Sequence, residues 1–369
     1  SLEQTAAGLN GDGPAYLRLM GPNVAHWRKL LDHILGPLKL PRHPLTLARF
    51  GAIALLPATT LARLAFGRGP ARALLGGMSA HSILPLERPA SAAFGLVLGM
   101  LAHSTGFPVA RGGSQNVANA LVSYLHALGG NTQTGVTVTS LAELPPSHVV
   151  LADLTPRQLL ALDKTDLHPS YRRQLKRFTY GPGVFKMDWA LDGPVPWTAP
   201  ACREASTIHL GGTLEEIADS ERAVWHDQHH PRPFVIFAQP TVADPSRAPQ
   251  GQHVAWAYCH VPHGSCVDMT VPIEAQIERF APGFGKRVLA RATKTATEME
   301  AYNPNYVGGD INGGKQDLSQ MWTRPALRRV PYSTPNPKLF MCSSSTPPGG
   351  GVHGMCGYHA ARAALRSSS

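Results

Sequence analysis

Three groups of residues in this chain carry types that can do chemistry. The first is Gly349-Gly350-Gly351, which follows Ser343-Ser344-Ser345-Thr346-Pro347-Pro348 and precedes Val352, His353, Gly354 and Met355. Consecutive glycines let a backbone approach a flat or anionic ligand, because no Cβ holds the ligand away. A helix starting just after such a turn adds unpaired N–H groups and the positive end of its dipole. The same pattern also suits a tight connection that packs a helix on a sheet. The second group is His253, Cys259, His260, His263 and Cys266. These are metal-ligand types, but Pro262 interrupts them and no zinc spacing emerges, so no metal site is expected. The third is the serine run itself. It lacks the Gly-x-Ser-x-Gly turn of an activated serine and reads as small residues admitting a ligand.

The elements that must position these residues follow from periodicity. Leu339–Cys342 reads as a short apolar strand and 354–365 as an Ala-rich helix, so the glycines lie in a strand–turn–helix unit. Residues 1–105 form a helical segment, with helices over Ala15–Leu35, Leu45–Phe66 (broken at Pro57) and Ala90–Leu101. Leu45–Leu56 is apolar on more than one face. It reads as an internal helix, with a tunnel wall or a membrane-dipping surface as the functional alternative.

Residues 106–178 look like part of an α/β unit. Gly112-Gly113-Ser114 leads into a helix over Val117–Leu128, which Ser114 can cap and Gly129 can end. Val136–Leu141 and His148–Asp153 read as strands. Residues 179–270 alternate at Val184–Leu191, Pro233–Ala238 and His253–His260, which suits a mixed or antiparallel sheet. Residues 271–369 return to helix at Ile273–Phe280 and Arg287–Tyr302, pass a glycine-rich loop at 303–324, and end on the strand–turn–helix unit. The fold class is α/β with mixed α+β character: an incomplete Rossmann-like FAD/NAD(P)-binding domain plus a helical and mixed-sheet substrate domain. A full dinucleotide fingerprint, Gly-x-Gly-x-x-Gly after a strand, is absent; Gly8–Gly13 has the wrong spacing and no strand before it.

Composition narrows the class. Charged residues are 16% of the chain, below the usual quarter, so much of it is expected to be buried. The formal net charge is +10, with dense basic groups at Arg172–Arg177 and Arg324–Arg329. Neither is interleaved with aromatics, so a solvated basic face is expected and no nucleic acid partner. Five irregularly spaced cysteines suit free thiols in a reducing compartment. No basic-then-apolar leader opens the chain, and the apolar stretch Ala93–Ala102 is too short to span a bilayer and reads as a buried helix. The location expected is cytoplasmic, with peripheral membrane contact left open. The first residue is Ser1 and not methionine, which leaves room for an upstream part.

In this order, several segments resemble one family. They are Gly112–Gln115, Val149–Asp153, Asp188–Trp197, His209–Thr213, Gln239–Pro249, Trp256–Pro262, Ala281–Phe284, Asn303–Asp310 and Pro347–Met355. The chain resembles FAD-dependent oxidoreductases of the phytoene desaturase-like group, within the amine oxidase-like flavoproteins, and especially the pyridine nucleotide-disulfide oxidoreductase domain-containing protein 2 type. The resemblance implies FAD as cofactor, with Ser344, Gly350, Gly351, Val352, Gly354 and Met355 lining the flavin. It implies that Val138 approaches the adenosine through its backbone, and that His353 could modulate flavin charge or simply make a structural hydrogen bond. It implies dehydrogenation, or related redox conversion, of an apolar small molecule. The family's N-terminal βαβ unit has no counterpart in the chain. The alternative expectation is therefore a truncated or non-catalytic remnant, or a partner subunit that cannot hold FAD alone.

Overall fold

The computed structural model describes residues 1–321 and 323–368. The first hundred residues form a helical layer: α1 (Leu2–Gly8), α2 (Gly13–Ala25), α3 (Trp27–Ile34), α4 (Pro44–Ala54), α5 (Ala58–Ala65), α6 (Gly69–Ser79) and α7 (Ser91–Ser104). The run expected as one helix over Ala15–Leu35 is split at His26. The break at Pro57 stands where proline's missing N–H and fixed φ place it, at the entrance of α5. The small-residue helix α6 lacks the apolar stripe that would announce it. Membrane-spanning length is not reached by any single helix among the described residues, and α4 and α5 are bent 97° from each other. The reading of Leu45–Leu56 as an internal helix is corrected: only Phe50 and Ala54 of α4 are buried, while Leu45 and Leu55 are exposed.

Next come α8 (Gln115–Ala127), β1 (Val150–Ala152), α9 (Pro156–Ala161) and α10 (Pro169–Lys176). The helix α8 ends as its glycines require. Gly129 takes φ +85°, its N–H donates to His126 O, and Gly130 N–H donates to Leu125 O. Ser114 sits at the N-cap, but its side chain makes no capping bond, against expectation. The strand expected at Val136–Leu141 is absent. The backbone there makes only a single bridge, Ser140 to Asp163, and Val136 and Val138 are exposed. Alternating Val-Thr-Val-Thr has strand propensity, but a strand also needs a ladder partner.

The remaining elements are β2 (Gly183–Leu191), α11 (Pro200–Glu204), β3 (Thr207–Leu210), α12 (Leu214–Val224), β4 (Val235–Ala238), β5 (His253–Val261), α13 (Thr270–Phe280), β6 (Val288–Lys294), α14 (Ala296–Tyr302), α15 (Leu318–Met321), β7 (Leu339–Met341) and α16 (Met355–Ser368). The helix expected over Arg287–Tyr302 is corrected to strand β6 followed by α14. Val288-Leu-Ala-Arg-Ala-Thr-Lys294 has helix-forming residues, but it pairs antiparallel with β2, an instance of tertiary context overriding propensity. Strands β3-β4-β5-β2-β6 form one antiparallel sheet, as the alternation implied. Strands β1 and β7 form a separate two-stranded parallel sheet.

Alternation along the strands divides two cores. Met187, Trp189, Leu191, Phe237, Ala257 and Cys259 face Trp197, α13 and Phe284. The opposite face contributes Ile236, beside Phe234, to the core of the helical layer, where Met20, Leu30, Leu75, Leu96 and Met100 meet Leu214 and Ile217 of α12. Leu96 is fully buried, and each such side chain stabilises by about 1.5–3 kcal/mol. A third cluster, with Leu159, Tyr171, Leu339 and Met341, seats β1 and β7 on α9 and α10.

Candidate cofactor cradle

Strand β7 delivers the chain into the small-residue turn. Cys342 N–H extends the ladder to Ala152 O, and Ser343 Oγ donates to Leu154 O at 2.8 Å. Thr346 Oγ1 donates to Ser343 O, Ser345 Oγ to Gly313 O at 2.7 Å, and Tyr332 Oη to Pro347 O. The hydroxyls of Ser343 and Ser345 are thus spent on backbone carbonyls.

Beneath the turn lies the glycine-rich loop 308–316, held by two buried charges. Asp310 accepts from the N–H groups of Gly181, Asn312 and Gly314 at 2.7, 2.8 and 2.9 Å. Burial raises its carboxyl above the usual range despite those bonds. Arg324 is 4% exposed. Its Nε donates to Ser344 O, and its two terminal nitrogens reach the carbonyls of Asn312, Gly313, Gly314 and Lys315 and Gln316 Oε1, at 3.1–3.3 Å. Burial holds the guanidinium down to about 10, still charged at neutral pH. The expectation of a solvated basic face at Arg324–Arg329 is therefore corrected for Arg324. A planar five-donor fork suits a site where several carbonyls converge.

From Gly350 onward the turn opens. Gly351, Val352 and Gly354 are exposed, Val352 completely so. Gly351 and Gly354 take φ +143° and +64°, conformations that favour glycine. A Cβ on Gly350 would meet Asn312 Oδ1 at 2.8 Å and Asn312 Cα at 2.9 Å, so this glycine is needed for the turn to sit on the loop. His353 caps α16: Met355 N–H donates to its Nδ1 at 3.0 Å. That is the structural hydrogen bond weighed for this histidine, and burial lowers its pKa. The helix therefore begins at a lip of glycines and one bare valine, with Ser344 and Met355 half-buried behind it.

An apolar side chain in full solvent, glycine backbone on both sides and a helix N-terminus are what a flat anionic cofactor needs. On these observations the turn fits the flavin side of FAD. The adenosine side rests on Val138, which lies in the unpaired segment before Ser140; the structure does not bring it into a strand. A cleft of about 350 Å³ lies elsewhere, lined by Leu191, Val195, Gln239, His253 and Arg287. It sits at the Leu191 end of β2, whereas Asp310 binds beside the Gly183 end, about 25 Å away along a nine-residue strand. It is not part of the cradle.

The cluster considered for a metal is dispersed. His253 pairs with Thr241, His263 Nδ1 with Gly181 O, and Cys259 is buried in the sheet core. Among the described residues no group of three His, Cys, Asp or Glu could hold a metal ion. His260 instead pairs with buried Glu221, and His81 with His209. Sequence reading missed both pairs, because the partners lie 39 and 128 positions apart with no motif joining them.

Known proteins place this geometry in context. No protein-family profile matches the chain. It is similar to pyridine nucleotide-disulfide oxidoreductase domain-containing protein 2 of Mus musculus and of Rattus norvegicus, 31% identical over 147 residues in each case. That stretch is 37% of this chain and spans only 25% of the relatives' length. Among solved structures, an oxidoreductase from Methanosarcina mazei matches with a TM-score of 0.53 and 15% identity, covering 80% of this chain and 64% of that one. A putrescine oxidase redesigned for cofactor binding matches with a TM-score of 0.52 and 12% identity, covering 95% and 75%. The likeness to these structures is one of fold. The resemblance to the protein 2 type, drawn from the motifs, stands, and these relatives and neighbours are oxidoreductases by name.

Proposed function

We propose that this chain is an FAD-dependent oxidoreductase chain that converts an apolar substrate by hydride transfer to the flavin. The observation that carries the reading is the lip at Gly350–Met355, where fully exposed Val352 and glycine backbone precede the start of α16. The flavin, when bound, would supply the two-electron chemistry. The chain's own residues supply position. Gly351, Val352 and Gly354 would present backbone and one apolar contact to the ring, and the first turn of α16 would face the phosphates. Asp310 and Arg324 would hold the lip's foundation rigid.

The test is the visible spectrum of the purified chain with added FAD, compared with that of Val352→Glu. Because the Val352 side chain is fully exposed, this change should leave stability within about 0.5 kcal/mol. A stoichiometric flavin band in the unaltered chain, weakened at least tenfold in affinity by Val352→Glu, is expected. Unchanged flavin binding in the variant would remove the lip from the site.

A second reading is favoured by a different observation. The thirteen-residue helix α8 has no buried residue. Val117, Leu121, Tyr124, Leu125 and Leu128 are all exposed. A parallel sheet is ordinarily covered on both faces, yet β1 and β7 stand as a pair. In this reading the FAD site is completed by a further polypeptide segment seated on α8. A chain that stays colourless with excess FAD would favour it over the first.

A further inference from the structure

The sheet face opposite Trp189 carries an unexplained ladder. Trp256, Tyr258 and His260 alternate along β5 and point to one side. The Trp256 and Tyr258 rings are stacked, 6.2 Å apart and 7° from parallel, and the Tyr258 and His260 rings are 5.8 Å apart. Beside them on β2 lie Lys186 and Asp188, opposite Tyr258 and Trp256 and ion-paired with each other. On β4 lie Ile236 and Ala238. At the Trp256 end the strip is partly exposed. Its His260 end is closed, with Phe234 6.4 Å away and the His81–His209 pair beyond it.

The polar tips along this ladder are unused. Trp189, Trp197 and Trp225 each donate the indole N–H to a protein acceptor, whereas Trp256 and the Tyr258 hydroxyl have no partner among the described residues. His260 is 4% exposed, and its Nε2 is buried without a partner among the described residues. An orphaned buried polar atom costs about 1–3 kcal/mol unless something meets it. The ring is not free to turn away. Its Nδ1 lies 2.8 Å from both oxygens of Glu221, itself fully buried, so Nδ1 carries the hydrogen and Nε2 lies on the side of the ring away from Glu221.

We propose that this strip is a binding site for a flat aromatic or conjugated molecule bearing one hydroxyl. The rings of Trp256 and Tyr258 offer edges and faces to the flat body. The hydroxyl meets His260 Nε2, which a hydroxyl can do whether the ring is neutral, as an acceptor, or protonated, as a donor. Glu221 is a positioning residue that holds the ring. A carbonyl would satisfy only the protonated ring and a plain hydrocarbon neither. The hydroxyl thus sets specificity. Naming this ligand the substrate rests on the oxidoreductase reading; its binding does not.

The experiment is calorimetric titration of the full chain with 2-naphthol and with naphthalene, which share a ring system and differ by the hydroxyl. The wild-type chain is expected to bind 2-naphthol about tenfold more tightly, a difference of about 1.4 kcal/mol. In the double variant His260→Phe with Glu221→Leu, which leaves no buried carboxylate alone, the two probes should bind equally and naphthalene should be unaffected. Trp256→Ala should weaken both. Equal affinities in the wild type, no binding of either probe, or a preference that survives the double variant would overturn the site. If the double variant does not fold, the nitrogen resonance of His260 Nε2 decides. It should move with 2-naphthol and not with naphthalene, and a resonance unmoved by both overturns the proposal. Neither probe needs flavin. A colourless chain that still discriminates them counts against FAD binding by this chain alone and leaves this site standing, and a flavin-loaded chain blind to the hydroxyl sinks this site alone.

Discussion

Acidification should strike the junction between the helical layer and the sheet first. His81, in the turn after α6, and His209, on β3, join their Nε2 atoms at 2.9 Å. Burial, with the neighbouring histidines, pushes His81 down to about 3. Burial pushes His209 down to about 4. The groups around them are the Phe234 ring, His260 and its partner Glu221. A depressed histidine pKa means that the unfolded chain takes the proton first, so stability present above about pH 6.5 is lost as pH falls toward the folded values. At pH 5 both folded values are already out of range, so the loss is set by the unfolded side: about 2 kcal/mol per histidine and about 3–4 kcal/mol for the pair. The figure therefore survives an error of a unit in either folded pKa. Urea denaturation at pH 7 and pH 5 measures it. The control is His81→Leu with His209→Phe, which removes both partners and leaves no orphan. Other histidines lowered by burial, such as His103 and His229, act equally in both proteins and cancel. If the variant loses as much stability on acidification as the wild type, the pair is not the acid-sensitive element and the reasoning fails.

Three further outcomes are expected. Arg324→Met strands the carbonyls of Ser344, Asn312 and Gly314; the loss of unfolding free energy in urea should exceed about 3 kcal/mol, with Arg324→Lys recovering only part of it. Thiol titration with an aromatic disulfide should label exposed Cys266 at once, while Cys259, Cys356 and Cys342, the last pushed up to about 12 by burial, wait for denaturant. Amide hydrogens of α8 should exchange well before those of α7, since α8 buries no residue whereas α7 buries Leu96 and Met100; comparable protection in the two helices would count against an uncovered α8.

Legibility in the sequence followed the range of the interaction. Helical spacing over 45–66 and 90–101 and alternation over 184–191 and 253–260 became α4, α5, α7, β2 and β5. The strand–turn–helix unit at 339–365 was read from local signals alone, since glycine conformation and helix start are local properties. What depended on a distant partner was misread. Val288–Lys294 looks helical until β2 is beside it. Val136–Leu141 looks like a strand until its lack of a neighbour is known. Arg324 looks like surface charge, because nothing in Thr323-Arg324-Pro325 announces the carbonyls that converge on it. At the cradle, the glycines were legible as a group, but Gly350's true reason, Asn312 underneath it, was not.

The pairing of β1 with β7 has a consequence for the order of events in folding. Val150–Ala152 cannot form its ladder until Leu339–Met341 exists beside it. Arg324 likewise waits for the Ser344 carbonyl, and Asp310 reaches back to Gly181. Closing loops of this span carries an entropic cost before any contact repays it, so such pairings form late and slowly. The antiparallel sheet and the helical layer can be complete while the glycine lip is still unformed. A ribosome-bound or half-folded chain would then display the aromatic strip before it displays a cradle, and any cofactor would meet the protein last.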